Sequence, residues 1–191
     1  MIELESRVLA DIPVLHACPA GQKETPLPCV IFYHGFTSSS LVYSYFAVAL
    51  AQAGLRVIMP DAPDHGIRFS GDASRRLKQF WQILLQNMHE FTALRAAIIE
   101  ENLLLDERLA VGGASMGAMT ALGIAACYPS VKCTASMMGS GYFTSLARSL
   151  FPPLQPETPA QQNEFNNIIA PLAEWEATNR LDELGTVSYT H

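Results

Sequence analysis

Apolar and polar residues recur along this chain with two periods that take turns. Residues 8–16 alternate roughly, with Pro13 inside the run, which suits an antiparallel hairpin at a sheet edge. Residues 19–28 read as loop by composition. Cys29-Val30-Ile31-Phe32-Tyr33 is then a continuous apolar run of strand length, as expected of a strand buried on both faces. Tyr43, Phe46, Ala47, Leu50 and Ala53 follow at spacings of three and four, so a helix is predicted, stopped by Gly54. Residues 55–59 form the next strand, closed by Pro60. A long amphipathic helix is predicted over residues 74–101, its stripe made by Leu77, Phe80, Trp81, Leu84, Leu85, Met88, Phe91, Leu94 and Ile98. A strand at 108–111, a helix at 116–127 ended by Tyr128-Pro129, and a strand at 131–138 complete the series.

Strand and helix in alternation predict an α/β fold, a mostly parallel sheet with helices on both faces. In such sheets functional loops gather at the carboxyl ends of the strands. His34-Gly35-Phe36, the loop at 61–66, Ser115 and Gly139-Ser140-Gly141 all fall there. From Tyr142 onward helices are predicted at 143–151, 163–169 and 171–184, broken by Pro152, Pro153, Pro156 and Pro159, and no strand follows. The chain divides into a core at 1–141, a helical segment at 142–184 and an atypical tail at 185–191. The helical segment is expected either as a cap, with Phe143, Leu146, Phe151 and Trp175 lining an apolar acyl pocket, or as plain cover for the sheet.

Composition narrows the field. The 191 residues suit one domain with a sizeable core, and 49% apolar against 16% charged residues is a globular balance. A net charge of −6 without a basic run argues against nucleic acid. The first twenty residues carry Glu3, Glu5 and Asp11, unlike a signal peptide. The least polar window, 110–126, is rich in glycine and reads as buried strand and helix, not as a membrane span. Cys18, Cys29, Cys127 and Cys133 have no metal-like spacing and are expected as buried or half-buried thiols in a reducing cytoplasm. No metal or organic cofactor is expected.

The candidate chemistry centres on Gly113-Ala114-Ser115-Met116-Gly117, which fits G-x-S-x-G. In that motif a serine stands on a strained strand-to-helix turn. Glycine is needed two places to either side because the chain reverses so sharply that a Cβ would strike its neighbours. A hydroxyl so placed stands at a helix N-terminus, where free N–H groups favour a developing oxyanion.

These residues together resemble the α/β-hydrolase superfamily, and within it the dienelactone-hydrolase-like and prolyl-oligopeptidase-like bacterial carboxylesterases. The resemblance is carried by His34-Gly35-Phe36 after the third strand, the loop Pro60-Asp61-Ala62-Pro63-Asp64-His65-Gly66, and the elbow at Ser115. It implies that Ser115 is the nucleophile of a serine esterase acting on small, short-chain acyl esters. The backbone N–H groups of Phe36 and Met116 would form the oxyanion hole, and His34, Gly35, Gly113 and Gly117 would shape the site. His34 and His65 are implied as structural rather than catalytic. Thioester, lactone or peptide cleavage would use the same constellation.

The family's order of triad residues is Ser, then Asp or Glu, then His. After Ser115 the sequence has one histidine, His191, and its acids Glu157, Glu164, Glu174, Glu176, Asp182 and Glu183 follow no strand. By the family pattern two further strand–helix units, about 60 residues, would carry the acid and base. A truncated or frame-shifted product, truncated after the sixth strand and its helical cap, is therefore expected. With it goes either a catalytically incomplete fragment or a base supplied by His191. The strand at 131–138 would become an apolar edge, giving poor solubility or a dimer through that edge.

Overall fold

The computed structural model describes residues 1–150 and 156–180. Its centre is a six-stranded sheet in the order β1-β2-β4-β3-β5-β6. Strands β1 (Ile2–Leu9) and β2 (Ile12–Pro19) form the antiparallel hairpin, and β3 (Leu27–Tyr33), β4 (Arg56–Pro60), β5 (Leu104–Ala114) and β6 (Val131–Met137) run parallel to one another. The hairpin turns through Ala10 and Asp11, both at positive φ (50° and 61°), as a two-residue type I′ turn requires. Strand β2 joins the rest antiparallel to β4. The fold class expected from the alternation is the one observed.

Alternate residues of the strands build two cores of unequal size. Leu15, Ala17, Phe32, Val57 and Met59 face one way and pack on α1 (Ser44–Gln52) through Ala47 and Ala51. Cys29, Ile31, Tyr33, Ile58 and Val111 face the other way, toward α3 (Phe80–Glu100) and α4 (Met116–Cys127). Helix α4 is buried nearly all round, which is why it consists of Gly, Ala, Met, Leu, Ile and Cys with Thr120 as its one hydroxyl and no polar face.

Several predicted boundaries move, each for a local reason. The helix expected over 74–101 is two helices, α2 (Ala73–Lys78) and α3, divided at Gln79. The break lets Phe80 and Trp81 both turn into the core, with Trp81 Nε1 donating to the Leu150 carbonyl (3.1 Å), while Leu77 is left 54% exposed. Strand β5 begins at Leu104, not Arg108, because a bulge with Asp106 and Glu107 at positive φ joins two paired stretches. The helices expected at 163–169 and 171–184 are one, α6 (Pro159–Glu174), which passes through Pro171 and opens on a capping box from Thr158 to Gln161. Helix α5 (Phe143–Ala147) is shorter than expected, and Cys133 is exposed rather than buried or half-buried. Among the described residues, β6 has a sheet neighbour on one side alone, and no helix is long and apolar enough to cross a membrane.

Candidate active site

Strand β5 ends at Ala114, α4 starts at Met116, and Ser115 makes the whole turn between them. Its φ of 53° and ψ of −117° form a conformation that an L residue holds only at a cost of about 1–3 kcal/mol. The neighbours impose that cost. A Cβ on Gly113 would lie 2.4 Å from the Gly117 carbonyl and 2.6 Å from the Tyr33 carbonyl oxygen. One on Gly117 would lie 2.0 Å from that same Tyr33 oxygen. Helix α4 therefore starts in van der Waals contact with the end of β3, and the main chain must reverse within one residue. The Ser115 N–H donates to the Met137 carbonyl (2.9 Å), tying the turn to β6, and the Ser115 side chain is left exposed.

The loop after β3 passes beside that serine. The position a Gly35 Cβ would take is 3.6 Å from Ser115 Cβ and 3.5 Å from the Ala114 carbonyl oxygen. Among the described residues, neither the Phe36 N–H nor the Met116 N–H has a hydrogen-bond acceptor. The Phe36 ring turns inward, edge-on to Phe80 (5.0 Å) and His65 (5.2 Å), and anchors the loop.

A second corner holds this loop from beneath. His34 is buried; its Nδ1–H donates to the Gly35 carbonyl (2.8 Å), and its Nε2 accepts from the Ala62 N–H (3.0 Å). His65 repeats the arrangement, with Nδ1–H donating to the Pro63 carbonyl (2.8 Å) and Nε2 accepting from the Thr37 N–H (2.9 Å). Both rings are therefore neutral, in the tautomer with the proton on Nδ1. Burial pushes both pKa values down, His65 to about 4. Between them the Asp61 carboxylate accepts from the Ser40 N–H (2.8 Å) and the Ile67 N–H (3.1 Å). Asp61 Oδ1 stands 3.9 Å from His34 Nε2, which already serves as an acceptor, so the pair is no ion bridge. Gly66 closes over the carboxylate at φ 52°, where a Cβ would lie 2.1 Å from it.

The other expected residues go elsewhere. Phe143 and Trp175 are buried in the main core, and a Cβ on Gly123 of α4 would lie 3.2 Å from the Phe143 ring and 3.4 Å from the Trp175 carbonyl. These two aromatics fill the seam where α5 and α6 meet α3 and α4, an arrangement of plain cover, the second of the two expected for this segment. Leu146 packs at the rim of the same core, and Phe151 lies outside the described residues. Among the described residues the one carboxylate–imidazole hydrogen bond joins Glu5 to His16 (3.1 Å) in the β1–β2 hairpin. His89 packs on Trp175 at 5.5 Å, and His191 lies outside the described residues. Glu176, expected on a helix, lies just after α6, is buried and accepts from Thr144 Oγ1 (2.6 Å). No group of three or more His, Cys, Asp or Glu among the described residues could hold a metal ion.

Sequence reasoning passed over Asp61, whose partners are 21 and 6 residues away. It also passed over the Tyr43 hydroxyl, hidden within the apolar stripe of α1. The available signals were an acid directly after a strand-closing proline, and a Tyr where a Phe would complete the stripe.

The strand order, the elbow and the two loops facing it define a class. The chain belongs to the alpha/beta hydrolase fold family, whose model matches residues 28–182. It is similar to Esterase YjfP of Escherichia coli (strain K12), 86% identical over 184 residues that make 96% of this chain and 74% of that protein. YitV of Bacillus subtilis (strain 168) is 35% identical over 147 residues, 76% of this chain and 58% of that protein. Among solved structures, one from Thermus thermophilus aligns with a TM-score of 0.63 at 21% identity, covering 97% of this chain and 71% of that one. A puromycin-hydrolyzing peptidase of Mycobacterium tuberculosis aligns at 0.62 and 18%, covering 94% and 29%. These two likenesses are of fold alone.

Proposed function

We propose that this chain is a serine carboxylesterase acting on small, short-chain acyl esters, with Ser115 as nucleophile. The observation that carries the reading is an exposed serine held at φ 53° by two glycines that cannot take a side chain. Strain of that kind persists only where the surroundings over-determine it, and here it presents one hydroxyl at the start of a helix. The 86% identity to Esterase YjfP supports the ester as substrate class.

In this mechanism Ser115 Oγ attacks the ester carbonyl and loses its proton to a base. The tetrahedral oxyanion is held by the Phe36 and Met116 N–H groups, worth about 3–4 kcal/mol per donor. The alkoxide leaves with a proton, and water then hydrolyses the acyl-enzyme to the carboxylic acid and free serine. This chemistry needs no metal or organic cofactor. A cytoplasmic location belongs to the same reading, on the strength of four cysteines that stand as thiols. So does association of two copies through β6, which sedimentation velocity at low concentration reads as a dimer if it occurs and a monomer if not.

One observation favours a second reading, a site that binds an ester without turning it over. His34 and His65 spend both nitrogens on the main chain, His16 is held by Glu5 and Arg56, and His89 packs on Trp175. No described imidazole is free to serve Ser115. Hydrolysis of p-nitrophenyl butyrate decides between the two. The esterase reading predicts turnover that Ser115→Ala lowers at least about a thousand-fold, and loss in His191→Ala as well would identify that residue as the base. Equal rates for wild type and Ser115→Ala would leave the binding site alone standing.

A further inference from the structure

We infer that Tyr43 contacts the substrate at the Ser115 site, its hydroxyl donating a hydrogen bond to the carboxyl group being processed. The inference rests on Ser115 being the reacting serine and adds a donor that the elbow motif does not contain.

The position of the hydroxyl is fixed from both ends. Tyr43 caps the start of α1, and its own N–H is bound by the carbonyls of Ser39 (3.4 Å) and Ser40 (3.2 Å). Its ring is wedged among four others: Phe46 (6.1 Å, 20°), Tyr45 (6.1 Å, 23°), Phe32 (6.3 Å) and His34 (6.5 Å). Rings packed on several sides leave the Cζ–Oη bond one direction. That direction ends beside the nucleophile: Tyr43 Oη lies 2.9 Å from the point where a Gly35 Cβ would sit, and Ser115 Cβ lies 3.6 Å from the same point. Gly35 thus has no room for a side chain where it passes between the two hydroxyl-bearing residues, and the residue that follows it, Phe36, carries an N–H without an acceptor among the described residues.

The hydroxyl takes no part in the ring packing. The stacking needs only a phenyl ring, and among the described residues Oη has no hydrogen-bond partner although the residue is half-buried. A half-buried phenol that packing has aimed, and that no described residue satisfies, is suited to a ligand oxygen. The substrate carbonyl or the product carboxylate supplies that oxygen, one lone pair facing the two main-chain N–H groups and another facing Tyr43.

Titration of the intact chain with sodium butyrate, followed by NMR of the ligand, tests this without requiring turnover. Tyr43→Phe keeps the ring and removes the donor. It is expected to weaken butyrate about ten- to a hundred-fold, the range of a hydrogen bond to a charged acceptor of about 1.4–2.8 kcal/mol, with no change in melting temperature. Unchanged affinity in Tyr43→Phe, or no saturable binding to the wild type, overturns the inference. Ester turnover sensitive to Ser115→Ala is read in parallel. Absent turnover with Tyr43-dependent butyrate binding would sink the esterase reading and keep Tyr43 only as a carboxylate contact, whereas turnover with Tyr43-independent binding would keep the esterase reading and overturn the role of Tyr43.

Discussion

Two corners at the carboxyl end of one sheet are built in opposite ways. The Ser115 elbow is fixed by exclusion: Gly113, Gly117 and the Tyr33 carbonyl leave no space for any other path, and no titratable group takes part. The corner of His34, Asp61 and His65 is fixed by satisfied hydrogen bonds, six of them to main-chain groups. Excluded volume does not titrate, whereas buried neutral imidazoles do. The serine's geometry is therefore independent of pH, and the geometry of the Phe36 loop opposite it is not.

The largest expected effect comes from breaking the excluded-volume corner. Gly117→Ala puts a methyl 2.0 Å from main-chain oxygen and should cost at least about 4 kcal/mol, or all soluble protein. Urea denaturation at neutral pH measures it, and near-native stability would erase the contrast. The next effect is acid. Free histidine titrates near 6.5 and His65 near 4 in the fold, so between those values the unfolded chain binds more protons and stability falls as pH falls. Wild type should lose about 3 kcal/mol from this group across that window, with His34 adding in the same direction. Denaturation midpoints at pH 7, 5.5 and 4 should show this slope, reduced in His65→Gln and intact in Ser115→Ala.

Asp61→Asn probes one carboxylate oxygen. Replacing it with an amide donor leaves either the buried Ser40 N–H or the part-buried Ile67 N–H without an acceptor, at about 1–2 kcal/mol. The smallest effect is a gain. Ser115→Gly relieves the positive φ and should stabilise by about 1 kcal/mol while removing esterase activity. A loss of stability would mean that the elbow stores no strain.

What the sequence could reveal follows the same division. The runs at 29–33 and 116–127 appear as strand and helix within two residues of the reading because their apolar patterns are unbroken. The elbow glycines could be read because a steric requirement leaves its mark on the residue itself. Requirements set by distant partners leave none. The stripe from Leu77 to Ile98 continued through Gln79 without a sign of the break, since its cause is Phe80 and Trp81 packing against Phe36 and the Leu150 carbonyl. Phe143 and Trp175 were as apolar as pocket walls would be, and their place against Gly123 is tertiary information. His34 and His65 were read as structural by resemblance, and their tautomers depend on carbonyls and N–H groups that only the folded chain supplies.

In the proposed mechanism Ser115 presents a reactive hydroxyl at that steric corner. Incubation of the intact chain with a small fluorophosphonate, followed by intact-mass and peptide mass spectrometry, tests it most directly. One adduct per chain is expected, on Ser115 and absent from Ser115→Ala. An unmodified chain, or an adduct on any other residue, would contradict it.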